Sequence, residues 1–125
     1  MKINEVSGGI VDAAMKVHSA LGPGLLESAY RVCLLYELRQ RGLKAFPEVG
    51  LPVFYGGIRM EVGYRVDLVV QDSVIVELKA VDFLAPIHEA QLLCYLKLSG
   101  KKVGLLINFN VVHLKDGIKR MVNGL

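Results

Sequence analysis

Apolar side chains recur three or four positions apart through roughly the first 40 residues, and every second position through much of the next 40. The period therefore changes from helical to extended near the first third of the chain. Ile10, Ala13, Ala14, Val17 and Leu21 make one helical stripe, with Asn4 or Ser7 as candidate caps and Gly22-Pro23-Gly24 as its break. Leu26, Ala29, Tyr30, Cys33, Leu34 and Leu38 make a second. It closes where Arg39 and Arg41 suit the negative helix end and Gly42 supplies a left-handed residue. Phe46 to Tyr55 reads as extended, but Pro47 and Pro52 cannot donate to a ladder and place it at a sheet edge. Gly56-Gly57 is a hairpin turn into Ile58 to Val70, with Tyr64, Val66, Leu68 and Val70 expected on one face and Arg65, Asp67 and Val69 on the other. Gln71-Asp72-Ser73 turns the chain into Val74 to Ala80, where Val74, Val76 and Leu78 alternate against Ile75, Glu77 and Lys79.

Pro86 suits the first turn of a helix running to about Ser99 and closed by Gly100. Lys102 to Phe109 is short and strongly apolar, the pattern of a strand buried on both faces. A loop at Lys115-Asp116-Gly117 and one or two helical turns complete the expected order α-α-β-β-β-α-β-α. With no linker and no internal repeat, this order predicts one domain over residues 1–125, a mixed four-stranded α/β sheet flanked by helices. The helix at 86–99 carries Leu92, Leu93 and Leu96 beyond an expected inward stripe of Ile87, Gln91, Cys94, Tyr95 and Leu98. That surplus predicts a second chain against it, a homodimer.

At 125 residues, 53% hydrophobic and 22% charged, the chain has ample material for a core and is no disordered polymer. Its formal charge of +3 permits a polyanionic partner without demanding one. Cys33 and Cys94 show no CxxC spacing and read as reduced core thiols of a cytosolic protein. No apolar run approaches the roughly 20 residues of a membrane span, and Glu5, Asp12 and Lys16 stand where a signal peptide needs an apolar stretch. The expected location is cytoplasmic, with no membrane partner.

Three groups of residues carry candidate chemistry. Antiparallel strands joined by a tight turn can bring Asp67 near Glu77, and a period of two sets Glu77 and Lys79 on one face. Two carboxylates and an ammonium at one spot suit phosphodiester hydrolysis. Hard oxygen ligands hold Mg²⁺, the metal polarises the phosphate and activates water, and the ammonium stabilises developing charge. Leu78 between them can point into the core while its carbonyl offers a further hard ligand. The simpler reading is a solvated charged face with Asp67 beside Lys79, but these charges interrupt strands with apolar flanks, where a carboxylate needs compensation. Gln91 and Tyr95 are one helical turn apart, and so are Glu27 and Tyr30. The plain alternatives are packing for the first pair and compensation of the helix dipole by Glu27 for the second. His88 reads as a surface or capping histidine.

These motifs stand in order: Leu21-Gly-Pro-Gly24, Gly24-x-x-Glu27-x-x-Tyr30, Gly63-x-x-x-Asp67, Glu77-x-Lys79, Gln91-Leu-Leu-x-Tyr95 and Gly104-Leu-Leu-Ile-Asn-Phe. Across residues 4 to 123 the chain resembles the GxxExxY protein family, placed in the PD-(D/E)XK nuclease superfamily. The resemblance implies a restriction-endonuclease-like αβββαβ core and a Mg²⁺- or Mn²⁺-dependent nuclease acting on nucleic acid, DNA favoured. Asp67 and Glu77 would bind the metal, Lys79 would be the catalytic lysine, and Glu27 would support the metal or its water. Gln91, Tyr95 and Tyr30 would contact the substrate strand or orient the lysine. Two other classes compete: a non-catalytic nucleic-acid-binding or regulatory subunit on the same fold, and a hydrolase of small phosphoesters.

Overall fold

The computed structural model describes residues 1–124. Helices α1 (Ile3–Leu21) and α2 (Glu27–Gln40) precede β1 (Ala45–Tyr55), β2 (Ile58–Val70) and β3 (Val74–Lys79), then α3 (Pro86–Ser99), β4 (Val103–Asn108) and β5 (Ile118–Val122). The strands lie side by side in chain order, β3 and β4 parallel and every other pair antiparallel. Ile10, Ala13, Tyr30, Leu34 and Leu38 of α1 and α2 are buried with Leu68, Val70, Val76, Leu78 and Leu105. A second cluster joins Val69, Ile75 and Leu106 to Leu92, Tyr95 and Leu96 of α3, so helices cover both faces of the sheet. β4 is buried along its whole length, as its apolar run requires.

Several local expectations change. α1 begins after Lys2 with no side-chain cap, and Asn4 and Ser7 lie inside it, the Ser7 hydroxyl donating to the Asn4 carbonyl at 3.2 Å. Val6 is fully buried and Ile3 packs on the same core, so apolar burial extends the helix past the residues that could have capped it. Leu26 precedes α2 and is exposed.

The sheet has five strands, not four. The last helical turns expected from sequence are a short 3₁₀ turn, Leu114–Gly117, followed by β5, which pairs with β4 from Ile107↔Ile118 to Val103↔Val122. Without β5 the inner strand β4 would present a row of unpaired backbone groups.

α3 also turns differently. Its buried face is Leu92, Tyr95 and Leu96, while Ile87, Gln91 and Cys94 are exposed. A Cβ added at Gly104 would lie 2.9 Å from the Leu92 side chain, so the bare glycine of β4 is the seat for that leucine. Leu92 and Leu96 thus belong to the core, while Leu93 is half-buried and Ile87 and Cys94 are exposed, so two of the three leucines expected to face a second chain do not.

Candidate active site

β2 and β3 are paired only at Leu68↔Val76, Val69↔Ile75 and Val70↔Val74. One residue further the ladder stops, and the carboxylates of Asp67 and Glu77 take the place of its hydrogen bonds. Glu77 Oε1 accepts the Asp67 N–H at 3.1 Å, and Asp67 Oδ2 accepts the Leu78 N–H at 2.8 Å. On the other side of β2 the register with β1 skips the Glu48/Asp67 position, where Glu48 adopts a φ of 50°. The strand bends at Asp67. Leu68 and Val70 therefore face α1 and α2 while Val66 joins the α3 cluster and Tyr64 lies beside Tyr95, which divides the single face expected for those four residues. The bend brings both carboxylates to the point where the strands part.

Glu77 is 7% exposed. Burial and then the neighbouring Asp67 charge push its carboxyl from 4.5 up to about 8, against the opposing Asp67 N–H and Lys79 ammonium. Leu78 points into the core, as the alternation predicts. Lys79 follows on the same face as Glu77, and among the described residues its ammonium takes part in no ion pair. Its carbonyl accepts the Phe109 N–H at 2.9 Å. The exit of β3 is held by Asn108, 2% exposed, whose side chain accepts the Val81 N–H and donates to the Val81 carbonyl.

α2 supplies two more groups. Glu27 Oε2 accepts the Ala80 N–H at 3.4 Å, at the strand end beside Lys79. Arg31, one turn along, sets its guanidinium 3.2 Å from Glu48 and 3.8 Å from Asp67. Sequence reasoning missed Arg31 and Glu48. The i, i+4 spacing from Glu27 was a signal for Arg31; Glu48 is placed only by the bend.

Tyr95 is nearly buried, its ring 6.0 Å from that of Tyr64, and burial followed by the Glu77 charge raises its phenol pKa. Gln91 is exposed and has no hydrogen bond among the described residues. Tyr30 is elsewhere. Its ring is fully buried and stacked on Phe109 at 4.5 Å, and its hydroxyl donates to the Gly22 carbonyl at 2.6 Å and accepts the Leu25 N–H at 3.2 Å. That leaves no surface for a substrate and makes Tyr30 the latch of the turn between α1 and α2. Tyr30→Phe should accordingly destabilise the protein by about 1–2 kcal/mol in urea unfolding while leaving ligand affinity unchanged; an unchanged unfolding midpoint would remove the latch. His18 is a second latch, its Nε2 2.7 Å from the Val111 carbonyl. His88 Nδ1 accepts the Ala85 N–H at the start of α3, the capping place expected of it.

The donor set suits a small, hard dication. Asp67 and Glu77 offer carboxylate oxygens, and among the described residues no group of three His, Cys, Asp or Glu gathers, so such an ion would keep waters and take substrate oxygens. A positive charge there would also relieve the repulsion that raises Glu77.

A mixed sheet whose strands part around two carboxylates, with a lysine two residues on, is consistent with the restriction-endonuclease-like nucleases. The chain belongs to the PD-(D/E)XK nuclease superfamily, whose family model matches residues 4–121. A solved structure, "Crystal structure of SSO0001", shares the fold with a TM-score of 0.59 and 21% identity; the match covers 79% of this chain and 51% of that one, so this chain spans about half its length. No curated protein matches the chain. No helix among the described residues is long and apolar enough to cross a membrane.

Proposed function

We propose that the chain is a divalent-metal-dependent nuclease of the GxxExxY type, hydrolysing phosphodiester bonds of nucleic acid, DNA favoured, in the cytoplasm. The observation that carries this reading is the Asp67–Glu77 pair, each carboxylate fixed by a backbone N–H of the other strand, with Lys79, in no ion pair among the described residues, on the same face. Asp67 and Glu77 would hold Mg²⁺ or Mn²⁺. A bound ion supplies polarisation of the phosphate and a lowered pKa for attacking water. The backbone bonds hold the carboxylates in place before any ligand arrives, so little ordering remains to be done on binding. Lys79 sets an ammonium where charge develops on the phosphate oxygens. Glu27, at the end of β3, positions the segment that carries Lys79. The two free cysteines support a reducing compartment.

Purified protein incubated with labelled DNA and RNA panels in Mg²⁺, Mn²⁺, Ca²⁺ or EDTA tests this. Cleavage that needs Mg²⁺ or Mn²⁺ and stops in EDTA supports it, and no cleavage of any substrate overturns it. One observation favours the non-catalytic reading, since Arg31 already sets a cation beside Asp67. In that case Mn²⁺ titration shows no heat and nucleic-acid binding is indifferent to EDTA.

Gln91 and Tyr95 separate positioning from packing. Gln91→Leu changes an exposed, unbonded side chain, so stability should stay within about 0.5 kcal/mol. Tyr95→Phe should likewise stay within about 0.5 kcal/mol, since among the described residues no buried side-chain polar atom lacks a partner and the phenol is therefore no buried orphan. Cleavage should nonetheless fall about tenfold or more in each if they touch the scissile strand or orient Lys79. Melting temperatures and rates that fall in proportion would make both residues structural.

A further inference from the structure

The β1–β2 hairpin runs well beyond the sheet. β3 pairs with β2 only from Leu68 to Val70, so residues 58–66 have no strand on their outer side; on the inner side β1 pairs with residues 58–60 and 64–66, and the register shifts across Glu61 to Gly63. The pairs Tyr55↔Ile58, Phe54↔Arg59 and Val53↔Met60 close a two-residue Gly56-Gly57 turn with both glycines at positive φ. In such a hairpin the closing pair is hydrogen-bonded and the bonding alternates from there. Ile58 and Met60 therefore spend their backbone groups on β1, whereas Arg59 turns its own outward to the free edge, and Glu61, at the register shift, has no partner on β1.

The side chains on this edge follow a symmetric pattern. Ile58-Arg59-Met60-Glu61-Val62 reads apolar, charged, apolar, charged, apolar in both directions, with opposite charges at the two mirrored places. Pairing with an identical strand, antiparallel about Met60, sets Arg59 opposite Glu61 of the second copy, Ile58 opposite its Val62 and Met60 opposite its Met60. Opposite charges directly across a ladder are favourable and like charges are not. The same register sets the outward N–H and C=O of Arg59 against those of Glu61, which β1 does not take, as antiparallel pairing about a two-fold axis requires. Arg59 and Glu61 already pair within the strand, Nε to Oε1 at 2.6 Å, so each carboxylate would be shared between two guanidinium groups. Tyr55 and Ile58, a directly paired couple more than half exposed in one chain, would extend one apolar face across both hairpins.

We propose that the outer edge of β2 is a homodimerisation edge, forming a continuous β1-β2-β2-β1 ribbon with a second copy of this chain. The partner is identified by charge: the arrangement at 59 and 61 is complementary to itself. This surface differs from α3, whose Leu92 and Leu96 lie in the core, and it is independent of the nuclease reading. Edge pairing over so few residues buries less than the roughly 800 Å² per partner of a standard interface, so the dimer should be weak, with a Kd on the order of tens of micromolar. Asp67 lies further along the same strand, on the order of 20 Å from the two-fold axis at the rise of an extended chain.

The test is sedimentation equilibrium of the full chain with chelator, from about 1 to 200 µM, a range that brackets the expected Kd. Arg59→Glu and Glu61→Arg should each weaken association tenfold or more by facing like charges, while an equimolar mixture of the two variants and the double variant Arg59→Glu/Glu61→Arg should both associate as the natural chain does. Arg59→Pro removes an outward N–H without touching the β1 ladder and should abolish the dimer with an unchanged melting temperature. A monomer throughout the range, single variants that associate normally, or a mixture that fails to restore association would each overturn the proposal. So would variants that stay monomeric like the natural chain but lose nucleic-acid affinity, which would make the arm a nucleic-acid surface.

Discussion

Asp67→Asn and Lys79→Ala should each lower metal-dependent cleavage by at least about a thousandfold, and the double variant should be little worse than either alone, because groups that act as a unit are not additive. Asn is the informative change at 67. Its side-chain oxygen can still accept the Leu78 N–H that Asp67 accepts at 2.8 Å, so the junction of β2 and β3 keeps its geometry while the metal loses a charged ligand. Lys79 has no ion-pair partner among the described residues, and its truncation leaves no orphaned charge. Both variants should therefore melt within a few degrees of the natural chain. Calorimetry with Mn²⁺ separates their roles: Asp67→Asn loses metal binding, whereas Lys79→Ala retains it and loses only rate. Wild-type cleavage in Asp67→Asn, or loss of metal binding in Lys79→Ala, would break this assignment.

The parts of the site that could be read from the sequence are those fixed by local register. Gln71-Asp72-Ser73 joins two strands with a period of two, so Asp67 and Glu77 must meet and Lys79 must share the face of Glu77, whatever the rest of the chain does. Contacts set by distant packing could not be read. Arg31 reaches Asp67 and Glu48 because α2 lies over the bend in β2, and that bend rests on Glu48 at a φ of 50°, where no glycine announces it. α3 is apolar on several sides, so its periodicity favours no single face, and the choice is made by Gly104 of β4 leaving room for Leu92. β5 alternates poorly and is half exposed, and it is a strand because β4 needs a partner. Tyr30 shows how a motif can combine two duties. Glu27 reaches the end of β3 while Tyr30, one turn along, locks the preceding loop, and spacing alone cannot tell the two apart.

Without metal, the stability of the protein should fall as pH rises from about 4.5 to about 8 and then level off. The cause is Glu77, whose carboxyl is pushed up to about 8, first by burial and then by the Asp67 charge beside it. Between the unfolded and folded values the native state holds a proton that the unfolded chain has released. The contribution is thus fully present below the unfolded value and is lost through the folded one. The slope approaches 1.4 kcal/mol per pH unit, summing to the order of a few kcal/mol. Glu77→Gln keeps an acceptor for the Asp67 N–H but has no proton to lose, so its stability should be flat in this window and exceed that of the natural chain above pH 8. Metal acts in the opposite direction. An ion on Asp67 and Glu77 requires the ionised carboxyl, so binding should release about one proton near pH 6, and affinity should climb by up to about tenfold per pH unit until it levels near 8. Urea unfolding of both proteins at several pH values, with Mn²⁺ calorimetry in two buffers of different ionisation enthalpy, measures each effect. Parallel stability curves for the two proteins, or metal binding that releases no proton at pH 6, would mean that Glu77 is ionised in the free protein and that the carboxylate pair is no poised metal site.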